Sequence, residues 1–192
     1  MRQILVFLTL LILAGCGRGF SAPDNLDNAC AILDERPNYY RAMVATKNNW
    51  GVPVHVQMAT IYQESRFIGD ARTPFRYAFG VLPMGRQSSA FGYSQALNGT
   101  WEEYRRSTGN RRARRSDIHD ATDFIGWYMA RTLARNGVPV SDARNQYLAY
   151  HEGHTGYARS SYNAKPWLLR IAGEVAARAQ TYQVQLARCR RR

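Results

Sequence analysis

The sequence predicts a single, mostly helical domain, and three observations carry that expectation. Residues recur at helical spacing, so that Val54, Met58, Ile61 and Ser65 share one helix face. Helix punctuation recurs along the chain, with Pro37 and Pro53 as starts and Gly51 and Gly137 as stops. No stretch alternates convincingly with period two over six residues, and there is no internal repeat. With 192 residues, 45% of them hydrophobic, the chain has enough apolar surface for one core.

In order, Asp27 is placed to cap a first helix carrying Cys30 and Leu33, and a second runs from Pro37 to Trp50. Pro53 opens the third, which ends near Phe67. Residues 67–93 lack helical periodicity and contain Pro74, Gly80, Pro83 and Gly85, so a long ordered loop is expected there. Helix resumes near Ser94 and runs to about Ser107, followed by a basic turn from Gly109 to Arg115. Ser116 or Asp117 caps the next helix, which carries Phe124, Trp127, Tyr128 and Leu133. Two more are expected over Ser141 to His151 and Ala164 to Leu186.

The net charge is +12, almost all from arginine, since Lys47 and Lys165 are the lysines. Such a surface suits a polyanion: nucleic acid, an anionic membrane or an acidic cell-wall polymer. The first residues choose among these. Arg2 precedes an apolar run from Ile4 to Leu13, too short to span a bilayer and laid out as a secretory signal peptide. Leu13-Ala14-Gly15-Cys16 resembles the lipobox of bacterial lipoproteins. That resemblance implies a signal peptide over 1–15, diacylation of Cys16, a tether over 16–26 and a domain over 27–192. Gly17 in the second mature position implies, by the sorting rule of such lipoproteins, the outer membrane, facing the periplasm. The alternative is an ordinary secretory signal cut nearby, with Cys16 incidental. In an oxidising compartment Cys30 and Cys189 are an even pair, and a disulfide between them is expected. An exported chain rarely meets nucleic acid, so none is expected as a partner.

Three segments carry the candidate chemistry. In Ile61-Tyr62-Gln63-Glu64-Ser65-Arg66-Phe67, Glu64 lies on the flank of the buried helix face. Partial desolvation there favours the neutral carboxyl, the form that protonates a glycosidic oxygen. In Ala90-Phe91-Gly92-Tyr93-Ser94-Gln95-Ala96, Gly92 permits close backbone approach, and Ser94 and Gln95 offer polar groups for sugar hydroxyls or acetamido groups. In Tyr147-Leu148-Ala149-Tyr150-His151-Glu152-Gly153-His154, a tyrosine precedes a glycine-rich turn. His151 and His154 are three apart rather than four, one short of the metalloprotease spacing, so no metal is expected.

Together these segments resemble the soluble-lytic-transglycosylase (SLT) domain of bacterial lytic murein transglycosylases, over about 52–165. Glu64 matches that family's catalytic glutamate and Ser65 the serine after it. Gly92, Tyr93, Ser94 and Gln95 match its Gly-Leu-Met-Gln loop, keeping only Gly and Gln. Ala149 and Tyr150 match its Ala-Tyr-Asn motif, with His151 in place of Asn and Glu152 following. The resemblance implies a lysozyme-like single domain with the long loop beside a cleft. It also implies cleavage of the bond between N-acetylmuramic acid and N-acetylglucosamine in peptidoglycan glycan strands, with no cofactor. Glu64 would act as acid and then base, Tyr150 would position it, and Gln95 would contact sugar. Ser65, Tyr93, Ser94, His151 and Glu152 complete the expected substrate-binding set.

Glu152 is a second carboxylate that, if free, would activate water and turn the lyase into a muramidase; Asp70 is a weaker candidate for the same part. A non-catalytic peptidoglycan-binding lipoprotein is the third reading. The run Arg111, Arg112, Arg114, Arg115 and the tail Arg188 to Arg192 face anionic wall polymer or lipid, or are simply solvated. Trp50, Trp101, Trp127 and Trp167 read as core, and Tyr39, Tyr40, Phe75 and Tyr77 as lining for a glycan groove.

Overall fold

The computed structural model describes residues 20–189. The expected signal peptide, Cys16, the first part of the tether and Arg190 to Arg192 lie outside the described residues. The described chain is mostly helical, as the periodicity predicts: α1 (Ala29–Glu35), α2 (Pro37–Trp50), α3 (Val54–Ser65), α4 (Asn98–Thr108), α5 (Ile118–Asn136), α6 (Ala143–Ala158) and α7 (Pro166–Arg188). A short 3₁₀ turn, Ser161–Ala164, joins α6 to α7.

The caps explain most boundaries. Asp117 accepts hydrogen bonds from the backbone of His119 and Asp120 and starts α5, and Asp142 does the same for α6 through Asn145. The first helix departs from expectation: Asn28, not Asp27, caps it by accepting from Ala31 N at 3.1 Å. Asp27 is occupied instead by Arg178 at 2.9 Å.

The central element is α3. Val56, Gln57, Met58, Ala59, Thr60 and Ile61 are all buried, so the helix is covered on every side rather than along one stripe. It packs against α2, α5, α6 and α7. Its polar residues stay inside by bonding backbone: Gln57 Nε2 donates to Met43 O at 3.0 Å and Val52 O at 2.8 Å. Beside it, Trp101, Tyr104, Phe124 and Trp127 form an aromatic cluster with centroids 5.2–5.7 Å apart.

Two expectations for the middle of the chain are corrected. The 67–93 loop contains an antiparallel hairpin, β1 (Phe75–Ala78) and β2 (Leu82–Arg86). Its strands are shorter than the window that alternation needs, and every residue of β2 is exposed, so no core face patterns them. Helix resumes at Asn98 rather than Ser94, because residues 92–95 form a turn. Part of the expected tether also differs from a loose spacer. Pro23 is buried, Gly69 N donates to Phe20 O, and Arg178 and Tyr182 donate to Leu26 O.

Cys30 and Cys189 form the expected disulfide, joining α1 to the residue after α7 across a separation of 159 residues. Closing so long a loop restricts the unfolded chain. Replacing both cysteines by serine should therefore cost about 2–5 kcal/mol. In differential scanning calorimetry that is a fall in Tm of about 5–15 °C; an unchanged Tm would show that the bond does not stabilise the fold.

Candidate active site

Glu64 occupies the last turn of α3, and the chain leaves that turn abruptly. Arg66 and Phe67 both adopt left-handed backbone conformations, with φ of 52° and 61°. Two successive non-glycine residues there cost about 1–2 kcal/mol each. What offsets the cost is burial: Phe67 is fully buried, stacked on Tyr39 at 5.9 Å. The bend fixes where the helix stops, and with it the position of Glu64.

The Glu64 carboxyl sits in a setting that favours its proton. Burial raises its pKa from 4.5 to about 7, although a hydrogen bond from the Tyr147 hydroxyl pulls the other way. Tyr147, on α6, is itself buried, and its pKa is raised by burial and by the neighbouring Glu64 charge. A carboxyl poised near neutrality can both give and take a proton at physiological pH.

The sequence points to Tyr150 as the partner of Glu64, whereas the hydrogen bond comes from Tyr147. The structure divides the work between them. Tyr150 is near enough for the Glu64 charge to raise its pKa, after burial as the larger cause. Its hydroxyl, however, donates to Ser94 O at 2.7 Å and so holds the 92–95 turn. The two tyrosines are three apart on one helix, hence on one face. That spacing next to a candidate glutamate is the signal that marks both.

The 92–95 turn is a brace rather than a row of exposed polar groups. Gly92 has φ 77°, and a Cβ there would lie 2.1 Å from Arg115 O, so only glycine fits. Gln95 Nε2 donates to Gly92 O at 2.8 Å and to Ala71 O at 3.0 Å, tying the turn to the segment after α3. Tyr93 is buried and shares a 2.9 Å hydrogen bond with the Tyr39 hydroxyl. Ser94 is fully buried, with its Oγ unpaired among the described residues. Ser65 is also buried, its Oγ donating to Ile61 O at 3.2 Å. The structure thus places Ser65, Tyr93 and Ser94 behind the surface, supporting Glu64 rather than reaching outward.

Glu152 is locked. Its side chain is 4% exposed and meets Lys165 Nζ at 2.7 Å, His151 Nδ1 at 3.0 Å and the Ser161 hydroxyl. The Lys165 and Ser161 hydrogen bonds hold its pKa down to about 2. His151 also stands edge-on to Trp167, which is 47% exposed and so not the core residue expected. His154 turns elsewhere, stacked on Tyr128 at 4.3 Å with Nε2 3.1 Å from Thr132 Oγ1. Asp70 is exposed on the loop beyond Phe67. Tyr39, expected to line a groove, is buried, whereas Phe75 and Tyr77 are exposed on the hairpin.

A cleft of about 470 Å³ between α3 and α7 has Tyr62, Gln63, Arg66, Arg178 and Thr181 in its wall but not Glu64. Of its charged residues, Arg178 pairs with Asp27 within the wall and Glu174 with Arg170 outside it. Arg66 and Arg178 both stack on Tyr62, at 3.9 and 3.4 Å.

The raised pKa of Glu64 carries a stability cost whose sign is definite. The folded state holds the proton more tightly than the unfolded chain, so stability is fully present below about pH 4.5 and is lost as pH rises through about 7. The shift corresponds to about 3 kcal/mol. Glu64→Gln should therefore be more stable than the wild type in urea unfolding at about pH 8, by up to that amount. The gain should vanish near pH 4; an equal difference at both pH values would refute the buried neutral carboxyl.

Among curated proteins none matches this chain. The family model for the transglycosylase SLT domain matches residues 4–189. The match spans the α3 glutamate, the Gly92 turn and the α6 tyrosines, together with the helical frame that assembles them. The chain belongs to the transglycosylase SLT domain family, a lysozyme-like, mostly helical fold whose chemistry is transglycosylation of peptidoglycan.

Proposed function

We propose that the protein is a lytic transglycosylase with Glu64 as its one essential acid and base, anchored to the outer membrane through lipid on Cys16. In the first step Glu64 gives its proton to the oxygen bridging N-acetylmuramic acid and N-acetylglucosamine, and the bond from that oxygen to the muramic C1 breaks. The acetamido oxygen of the muramic residue closes on C1 and holds the positive charge. In the second step Glu64, now a carboxylate, takes the proton of the 6-hydroxyl, whose oxygen bonds C1 and displaces the acetamido oxygen. The products are a 1,6-anhydromuramic end and a free N-acetylglucosamine 4-hydroxyl, with Glu64 protonated again.

The observation that carries this reading is the pairing of one carboxyl near pKa 7 with a second that is disarmed. Hydrolysis of the same bond by the two-carboxylate route needs a second carboxylate as base or nucleophile. Glu152, at a pKa of about 2 and spent on Lys165, Ser161 and His151, is too weak a base for that part. The intramolecular 6-hydroxyl needs no second carboxylate. Tyr147 positions Glu64 and tunes its pKa. Among the residues expected to touch sugar, Gln95, Tyr150 and His151 keep partial exposure and remain the candidates for direct contact.

Incubation of the mature chain with purified sacculi, followed by mass spectrometry, tests the reaction. Anhydro ends are expected, and reducing ends would replace the lyase by a muramidase. Glu64→Gln should lower kcat by about 10²–10⁴; unchanged turnover would reject Glu64 as the acid, and no turnover by the wild type would favour a binding protein. In the wild type kcat/KM should fall as pH rises above about 7, because the acid loses its proton. Tyr147→Phe removes the hydrogen bond that lowers the Glu64 pKa, so this basic limb should move upward by about 1–2 pH units. A limb that stays in place would show that Tyr147 does not act on Glu64.

A further inference from the structure

Among the described residues, the most exposed large apolar side chains lie on the hairpin. Phe79 is 99% exposed, Val81 81%, Met84 60%, Leu82 58% and Tyr77 57%. Scattered exposed apolar residues are ordinary, but a run of them on one two-stranded projection marks a surface built for contact. The turn itself points the same way. Val81 N donates to Ala78 O, and the two residues between, Phe79 and Gly80, have φ of 52° and 76°. Turns of that type take Asn-Gly or Asp-Gly by preference. A phenylalanine held there in a left-handed conformation, wholly in solvent, has no folding reason to be present.

The base of the hairpin is cationic. From Ala71 to Trp101 there is no acidic residue, while Arg72 precedes the strands, Arg76 lies in β1 and Arg86 ends β2. Arg86 stacks on Phe75 and Arg72 on Phe91, each at 4.3 Å, so their charged heads ride on aromatic rings at the foot of the projection. The arginine turn after α4 joins them: Arg115 donates to Ser89 O at 2.9 Å and Ala96 O at 2.8 Å, and Arg111, Arg112 and Arg114 beside it are exposed. Phe20 packs on Gly69, six residues before β1. Phe20 follows Cys16 by four residues, so a lipid on Cys16 would hold Phe20, and Gly69 against it, within about 14 Å of the lipidated residue.

An apolar tip above a collar of arginines is the chemistry of an interfacial membrane contact, with rings among acyl chains and guanidinium groups among anionic headgroups. We propose that the 75–86 hairpin is a second membrane contact of this protein, seating Phe79 and Val81 in an anionic leaflet and orienting the domain on its anchor. The proposal rests on the exported, membrane-bound reading of the chain, not on the chemistry of Glu64.

Photocrosslinking tests it. Benzoylphenylalanine is installed in the full chain at position 79, or at exposed Gln180 on α7 as a control. Each protein is irradiated with phosphatidylglycerol-containing vesicles in the presence of sacculi. Lipid adducts at position 79 should exceed those at 180 several-fold, and should fall when Arg76→Gln is added or salt is raised. Equal lipid labelling at the two positions overturns the proposal, as does labelling at 79 that goes to glycan or to a second protein chain. Turnover of soluble glycan fragments is measured on the same samples. Active chains without lipid adducts would lose the membrane contact and keep the enzyme; inactive chains with adducts would do the reverse.

Discussion

The hydrogen bond from Tyr147 to Glu64 exists because α3 is enclosed by its neighbours. A helix covered by α2, α5, α6 and α7 carries its last turn into a desolvated setting, and a carboxyl placed there resists ionisation. The enclosure does the chemical tuning, and the tyrosine trims it. Nothing else around Glu64 needs to be charged. The pKa of Glu64 is set by burial first and by the Tyr147 hydrogen bond second.

The polar residues around this carboxyl form a scaffold with a clear division of labour. Tyr150 holds the 92–95 turn, and Gln95 and Gly92 fasten that turn to the segment leaving α3. Tyr39 and Tyr93 join hydroxyls beneath it. Just before Gly153, where α6 kinks with φ 76°, Glu152 cross-links α6 to the start of α7 through Lys165. A carboxylate so fully satisfied stabilises a junction, and the same satisfaction removes it from proton transfer.

Much of this was legible in the sequence, for identifiable reasons. Pro37, Gly51, Asp117 and Gly137 act within a few residues of themselves, so α2 and α5 could be bounded without knowing what they touch. Glu64 could be selected because its offset from Ile61 is a helical fact, and the cysteines because they had no other partner. What escaped depends on distant chain. Whether Tyr147 or Tyr150 reaches Glu64 is set by how α6 rolls against α3, and both lie on the same face. Ser94 and Tyr93 looked like surface groups because local pattern cannot show that the turn folds under Arg115 and Tyr39. The hairpin escaped because alternation reveals a strand only when one face is buried, and this one is not.

The bond between Cys30 and Cys189 has a consequence for the order of events. Its second sulfur is synthesised 159 residues after the first, when every other element of the domain has already been made. The staple is therefore a check on completeness: it forms only on chains that carry α7 in place, and a product cut short of Cys189 keeps Cys30 as an unpaired thiol.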